Sequence, residues 1–143
     1  EAYAGRASME RRARDLERKG RDTRLVDFAP GRRMTSGVFV KALAAGDPVA
    51  VELIDDAVGA LGVAIASATS LLDISLVVVG GGLADRMGAP FVARVEQACR
   101  ADVFPKNPAL RIVPAALGDQ GGSIGAALMA ADRLGATAGP STG

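Results

Sequence analysis

Three consecutive glycines, Gly80, Gly81 and Gly82, are the residues of this sequence best placed to take part in ligand binding. They follow the β-branched run 74–79, which predicts a buried strand, and they precede a predicted helix. Because glycine has no Cβ, the backbone there is open to a flat ligand and can adopt a positive φ. The next helix would direct free N–H groups toward the same place. The glycines match neither the GxGxxG nor the GxxxxGK[ST] spacing, so a nucleotide loop and a tight turn without ligand both fit them.

A second glycine group follows the other short apolar run. Gly121, Gly122 and Ser123 come after residues 110–113, which predict a strand, and they open a predicted final helix. By itself this group indicates a tightly packed helix start. Open α/β sheets bind ligands at the carboxyl ends of their strands. Two glycine-rich turns at two such ends therefore support each other as parts of one site.

Side chains suited to acid–base or metal chemistry are scarce. Cys99 is the single cysteine and histidine is absent, which excludes an internal disulfide and a Cys/His zinc site. The candidates for a catalytic base are Asp55, Asp56, Asp85 and Asp119, and the role is assigned to none of them. Asp55 and Asp56 fall in the middle of a predicted helix and are expected to face solvent, whereas Asp119 is expected to cap a helix. We predict no catalytic residue and no metal ligand within the chain.

The first half of the sequence carries helical signals. A first predicted helix ends at Gly20, and Thr35 or Ser36 can cap a short one that ends at Gly46. The pair Asp47-Pro48 predicts the start of a long helix over residues 48–71. The residues expected to form the buried stripes are Ala2, Tyr3, Ala7, Met9, Ala13 and Leu16 in the first helix and Ile54, Val58, Leu61, Ile65, Ala68 and Leu72 in the long one.

The second half predicts an α/β arrangement. A helix carrying Phe91, Val92, Val95 and Cys99 separates the two strands. Because the run 74–79 shows no alternation, we expect that strand to be covered on both faces. The two strands are predicted to lie in one sheet, parallel, with helices flanking it and the long helix packed against it. Residues 1–134 are predicted to form the domain, and the small, polar residues 135–143 a flexible tail.

Composition fits one soluble globular domain. The 143 residues are 49% hydrophobic and 23% charged. No apolar run approaches the roughly 20 residues of a membrane span, and the charged opening is no signal peptide, so we expect a cytoplasmic protein. Residues 1–33 hold ten Lys/Arg against six Asp/Glu, but the signs interleave, which favours a solvated helix face over a nucleic-acid patch. Since the chain opens inside a predicted helix and lacks an initial Met, we expect a fragment or a processed product.

Several motifs in order carry a resemblance to a known family. The segments are Gly46-Asp47-Pro48-Val49-Ala50, Leu61-Gly62, Leu76-Val77-Val78-Val79-Gly80-Gly81-Gly82-Leu83 and Gly125-Ala126-Ala127-Leu128-Met129-Ala130. Over residues 1–134 the chain resembles the C-terminal half of ROK proteins. These are bacterial sugar kinases and related repressors of the actin/hexokinase superfamily, with a ribonuclease H-like fold. The opening Glu1-Ala2-Tyr3-Ala4-Gly5 is similar to the segment just after the family's zinc-binding cysteines.

The resemblance implies roles for particular residues. Gly80, Gly81 and Gly82 match the loop of the family's adenosine motif, with Leu83 beside it. Glu1 matches a glutamate that binds sugar hydroxyls in the family's kinases, although a solvated N-terminal acid is the alternative. The family's Asp-Gly-Gly-Thr phosphate loop, its Asn-Asp pair with the catalytic base, and its zinc-binding His and cysteines are not in this chain. A missing N-terminal domain and a structural zinc upstream are therefore expected.

The function that the resemblance implies is ATP-dependent phosphorylation of a hexose, glucokinase-like, by a longer parent enzyme. The implied ligands are Mg-ATP and a hexose, with glucose favoured. The chain alone is expected to be inactive, and a homo-oligomer such as a dimer is expected. One alternative is a sugar-responsive repressor of the same family, which would bind nucleic acid through helices upstream. Another is a nucleotide-binding module without chemistry. An Asp-Gly-Gly-Thr motif upstream would favour the kinase, and a helix-turn-helix the repressor.

Overall fold

The computed structural model describes residues 2–137, apart from the side chains of residues 119, 136 and 137. Among the described residues, no helix is both long and apolar enough to cross a membrane. The helices and strands in this part of the chain are α1 (Arg6–Arg18), α2 (Ser36–Ala44), α3 (Pro48–Leu72), β1 (Leu76–Val79), α4 (Gly82–Met87), α5 (Ala89–Asp102), β2 (Arg111–Pro114) and α6 (Gly121–Thr137), with a 3₁₀ turn (Gly118–Gln120) before the last helix. This order confirms the α/β class.

The two strands form a parallel pair. Leu76 lies opposite Arg111, and Val79 lies opposite Pro114. One further hydrogen bond continues the ladder at the carboxyl end, where the Ala115 N–H donates to the Val79 carbonyl oxygen at 2.9 Å. Parallel strands end at the same edge of a sheet. The residues that follow β1 and those that follow β2 therefore meet at one edge.

Only one face of β1 is covered by helices, so the expectation of two covered faces was wrong. Leu76 and Val78 are 51% and 57% exposed in the described part of the chain. Val77 and Val79 point the other way and pack against a buried cluster that α3 and α5 share with β2. Successive side chains of a strand point to opposite faces. A β-branched run therefore predicts the strand itself, while its neighbours decide which faces are buried.

Close contact between α3 and α5 forms the centre of the fold. A Cβ placed on Gly62 would lie 2.5 Å from the Ala98 Cβ and 2.9 Å from the Ala98 carbonyl carbon. Only a residue without a side chain permits this approach. Gly62 is therefore the point at which α3 packs close to α5. Gly59 has no such role, because an added Cβ there would meet no atom within 4 Å.

The start of α3 is tied to the irregular segment that precedes α2. The Asp47 carboxylate accepts a hydrogen bond from the Ala50 N–H at 2.8 Å, which confirms the predicted cap. It also accepts bonds from the Thr23 hydroxyl, at 3.0 Å for the nearer oxygen, and from the Arg24 N–H. Asp47 is only 2% exposed, and these donors supply the hydrogen bonds that a buried carboxylate needs in place of water. One side chain thus fixes both a helix start and a loop.

Helix boundaries and stripes differ from expectation at several points. The helix α1 begins at Arg6, so Ala2 and Tyr3 lie outside it and are exposed, and within it Met9 and Ala13 are buried. In α3 Leu72 is 67% exposed, so the buried stripe does not reach it. The buried residues of this helix are Val49, Ala50, Leu53, Ile54, Ala57, Val58, Gly62, Ala66 and Thr69.

Two other boundaries were not anticipated. The helix that carries Phe91 does not follow the glycines directly, because Gly88, with φ +64°, separates α4 from α5. At the end of the described residues, α6 continues to Thr137, three residues into the segment expected to be a tail. The rest of that segment lies outside the described residues.

Replacing Gly62 with Ala should destabilise the chain, because the new methyl group would overlap the backbone of α5. We expect the free energy of unfolding to fall by about 1–3 kcal/mol, as for other overpacked cores. Gly59→Ala is the matched control in the same helix. It should raise the free energy of unfolding by about 0.5–1 kcal/mol, since alanine is the better helix former. Urea denaturation followed by circular dichroism measures both, and equal stabilisation by the two variants would contradict the close contact.

Candidate functional site

The glycine loop, defined as Gly80, Gly81 and Gly82, connects the carboxyl end of β1 to the start of α4. Gly81 has φ +99° and ψ 162°, a backbone conformation that residues other than glycine rarely adopt. It precedes the first residue of α4, and its carbonyl oxygen accepts the Asp85 N–H at 2.9 Å. The loop therefore turns the chain sharply from strand to helix through a backbone that requires glycine.

The three glycines face different surroundings. A Cβ on Gly80 would lie 3.1 Å from the Ala115 Cβ, just beyond β2. A Cβ on Gly82 would lie 2.8 Å from the hydroxyl oxygen of Ser36, the first residue of α2. A Cβ on Gly81 would meet no atom within 4 Å. Gly80 and Gly82 thus allow neighbouring elements to approach, whereas Gly81 borders open space.

That open space belongs to a cavity of about 420 Å³ beside the loop. Six elements and the loop converge on it, and the lining residues are Ala4, Arg6, Met9, Ser36, Phe39, Leu61, Val79, Gly80, Gly81, Gly82, Leu83, Ala84 and Phe91. The buried side chains of Met9, Phe39 and Phe91 form an apolar wall. Arg6 and Ser36 are its polar lining side chains. Such a cavity can hold a flat, mostly apolar ring and orient a polar group attached to it.

No acidic side chain of the described residues lines this cavity. Asp55 and Asp56 lie on the outer surface of α3, where they form ion pairs with Arg94 and Arg12, respectively. Asp85 is exposed on α4, and the side chain of Asp119 is outside the described residues. The described residues therefore bring no carboxylate to this cavity that could act as a general base.

The nucleotide-binding residues expected from the sequence lie together in the structure. Gly80, Gly81, Gly82 and Leu83 form one continuous wall of the cavity. The second glycine group does not line it, because Gly121, Gly122 and Ser123 belong to the first turn of α6. The sugar-binding residue expected at Glu1 lies outside the described residues.

Sequence reasoning missed the opposite wall. The sequence places Met9 in the buried stripe of the first helix, Phe91 on the helix between the strands and Ser36 as a possible helix cap, and it gives none of them a binding role. The Thr35 side chain makes no capping hydrogen bond, and Ser36 is the first residue of α2. Local patterns place each of these residues on its helix, but only the packing of α1, α2 and α5 against the loop brings them to one cavity. No sequence signal marks Arg6 as a lining residue.

The remaining reactive groups offer no second site. Burial raises the pKa of the Cys99 thiol, so the thiol stays neutral and unreactive near neutral pH. Among the described residues, no cluster of three or more His, Cys, Asp or Glu side chains could hold a metal ion.

Comparison with known proteins decides the family. The family model described as "ROK family" matches residues 1–133. The chain belongs to the ROK family. No curated protein matches this ROK chain in sequence.

Solved structures of ROK proteins share its fold. A ROK family glucokinase from Streptomyces griseus, in complex with glucose and AMPPNP, superposes with a TM-score of 0.76 at 26% identity, over 90% of this chain and 43% of its own. The ROK hexokinase from Thermus thermophilus superposes with a TM-score of 0.69 at 26% identity, over 90% of this chain and 39% of its own. A ROK family transcriptional regulator, a homologue of the E. coli MLC protein, superposes with a TM-score of 0.65 at 22% identity, over 79% of this chain and 28% of its own. At this identity the likeness supports a shared fold only.

These comparisons establish the fold class and show how much of its relatives' length the chain spans. The chain has the actin/hexokinase-like α/β fold of ROK sugar kinases. It spans less than half of the length of each of these solved relatives.

The contact between Gly82 and Ser36 can be tested with a double-mutant cycle. Gly82→Ala should lower the free energy of unfolding by about 1 kcal/mol, because its methyl group would displace the Ser36 hydroxyl. In a Ser36→Ala background the same substitution should cost less than half as much, since the oxygen in its way is gone. Thermal and urea denaturation of the four proteins measure the coupling. A coupling of zero would mean that the two residues do not touch.

Proposed function

We propose that this chain is the nucleotide-side, C-terminal domain of an ATP-dependent hexose kinase, glucokinase-like, with glucose as the favoured sugar. The observation that carries the proposal is the cavity bounded by the glycine loop. Its glycine wall leaves the backbone accessible, and its apolar wall of Met9, Phe39 and Phe91 suits a purine ring. The Streptomyces griseus relative was solved with glucose and AMPPNP, an analogue of ATP, which supports the same ligands here.

In this proposal the chain holds the adenosine of Mg-ATP over Gly80, Gly81 and Gly82, beside Leu83. Phosphoryl transfer needs a positioned acceptor, a metal and a cradle for the phosphates. No acidic side chain of the described residues lines the cavity, so the base and the phosphate loop would come from the rest of a longer protein, together with a structural zinc. Glu1 would contribute to the sugar pocket, and the enzyme would act in the cytoplasm as a homo-oligomer. The long parent chains of the solved relatives support this division.

A second candidate is a sugar-responsive transcriptional repressor of the same family. It is supported by the ROK transcriptional regulator that shares the fold over 79% of this chain. The cavity itself favours the kinase, because a repressor needs no site for ATP. The sequence upstream of this domain separates the two, since an Asp-Gly-Gly-Thr motif belongs to the kinase and a helix-turn-helix to the repressor.

Gly81→Val should weaken ATP binding at least tenfold, about 1.4 kcal/mol. Gly81 borders the cavity and has φ +99°, so valine would both fill the space of the adenosine and resist the backbone conformation. Sugar binding to the parent enzyme should change little. Gly20→Val is the matched control, because Gly20 also has a positive φ and open surroundings but lies outside the cavity. Calorimetric titration of folded variants with ATP measures the effect, and unchanged ATP affinity in Gly81→Val would refute the nucleotide assignment.

The isolated chain should have no kinase activity, because none of the described side chains at the cavity can act as the base. A coupled assay with Mg-ATP and glucose checks this expectation. The purified chain is compared with the same preparation after heat inactivation and with the full-length protein. Turnover that copurifies with the chain through several columns would contradict the proposed division between the two parts of the enzyme.

A further inference from the structure

The five arginines of α1 differ in what they contact. Arg11 donates to the Ser8 hydroxyl, Arg14 pairs with Glu10, Arg12 pairs with Asp56 on α3, and Arg18 pairs with Asp15. Arg6 has no hydrogen-bond or ion-pair partner among the described residues. Four of these side chains thus have a structural role on the helix surface or between helices. The contacts of the described residues give Arg6 no such structural role.

The place of Arg6 on α1 does not stabilise the helix either. Arg6 is the first residue of α1, and the first turn contains no acidic residue. A positive charge at a helix N-terminus opposes the helix dipole, which favours anions there. A guanidinium at this position, with no partner in residues 2–137, can interact with an anion from outside the chain.

Arg6 is also the cationic side chain that lines the cavity beside the glycine loop. The interior wall is apolar, and the other polar side chain of the lining is the Ser36 hydroxyl, which has no charge. A ligand with an apolar ring and an anionic group would place the ring against Met9, Phe39 and Phe91 and the anion near Arg6. Guanidinium is well suited to phosphate, which it can bind through two parallel hydrogen bonds.

We propose that Arg6 recognises a phosphate of the nucleotide, so that the cavity prefers nucleoside phosphates to nucleosides. This inference rests on the proposed function, since it takes the nucleotide to lie over the glycine loop. It adds a residue that binds the charged part of the ligand, on an element that the glycine motif does not include. Because Arg6 is exposed, its interaction with phosphate is screened by salt, and the preference should shrink as ionic strength rises.

The test compares adenosine, AMP and inorganic phosphate on this chain. Each ligand is titrated into ¹⁵N-labelled protein at low ionic strength, and the Gly81 amide shift gives the dissociation constant. In the wild type we expect AMP to bind about threefold more tightly than adenosine, the scale of a partly exposed ion pair. Arg6→Gln should remove this preference and leave adenosine affinity unchanged. Arg11→Gln, on the same helix but outside the cavity, should keep it.

The outcomes separate the two proposals. If AMP keeps its preference in Arg6→Gln while adenosine still binds, the role of Arg6 is refuted and the nucleotide cavity stands. If neither adenosine nor AMP shifts the Gly81 amide, the proposed nucleotide function of this site fails and the role of Arg6 fails with it. Inorganic phosphate should bind much more weakly than AMP. Equal affinity for phosphate and AMP would show an anion site unrelated to the nucleoside, which also overturns the inference.

Discussion

Contact between the backbones of α3 and α5 at Gly62 and Ala98 is the constraint on which the rest of the structure depends. The two helices approach until a Cβ on Gly62 would lie 2.5 Å from Ala98. Together they cover the inner face of the sheet, with Ala66, Val92 and Cys99 in the shared cluster. Each helix also contributes to the cavity, through Leu61, next to Gly62, and through Phe91. A wider separation would therefore loosen the sheet and the cavity together.

The glycine loop combines a structural and a functional role at different residues. Gly80 and Gly82 permit close approach of Ala115 and Ser36, which a tight turn without ligand would also require. Gly81 contacts neither of them and borders the cavity with a backbone conformation that favours glycine. The two interpretations of three consecutive glycines are thus not exclusive. Packing explains the first and third glycine, and access to the cavity explains the second.

Charge on the N-terminal helix is mostly used within the fold. Arg12 and Arg14 pair with acids, and the Arg14 guanidinium also donates to the Arg32 carbonyl oxygen. The interleaved charges predicted a solvated helix face, and the structure adds that several of them form ion pairs. The same pattern could not single out Arg6, because a sequence shows charge but not which charge lacks a partner. Arg6, which has no hydrogen-bond or ion-pair partner in the described part of the chain, lies beside the cavity.

The sequence by itself determined the local structure of this protein. Asp47-Pro48 specified the start of α3, the β-branched run specified β1, and the glycines specified a sharp turn, because each depends on interactions within a few residues. The order of motifs was enough to indicate the ROK family. The tertiary structure alone decided which face of β1 is buried, where the stripe of α3 lies, and that Arg6, Ser36 and Phe39 line the cavity with the glycine loop. These features depend on contacts between residues far apart in the chain, and local propensity carries no information about such contacts.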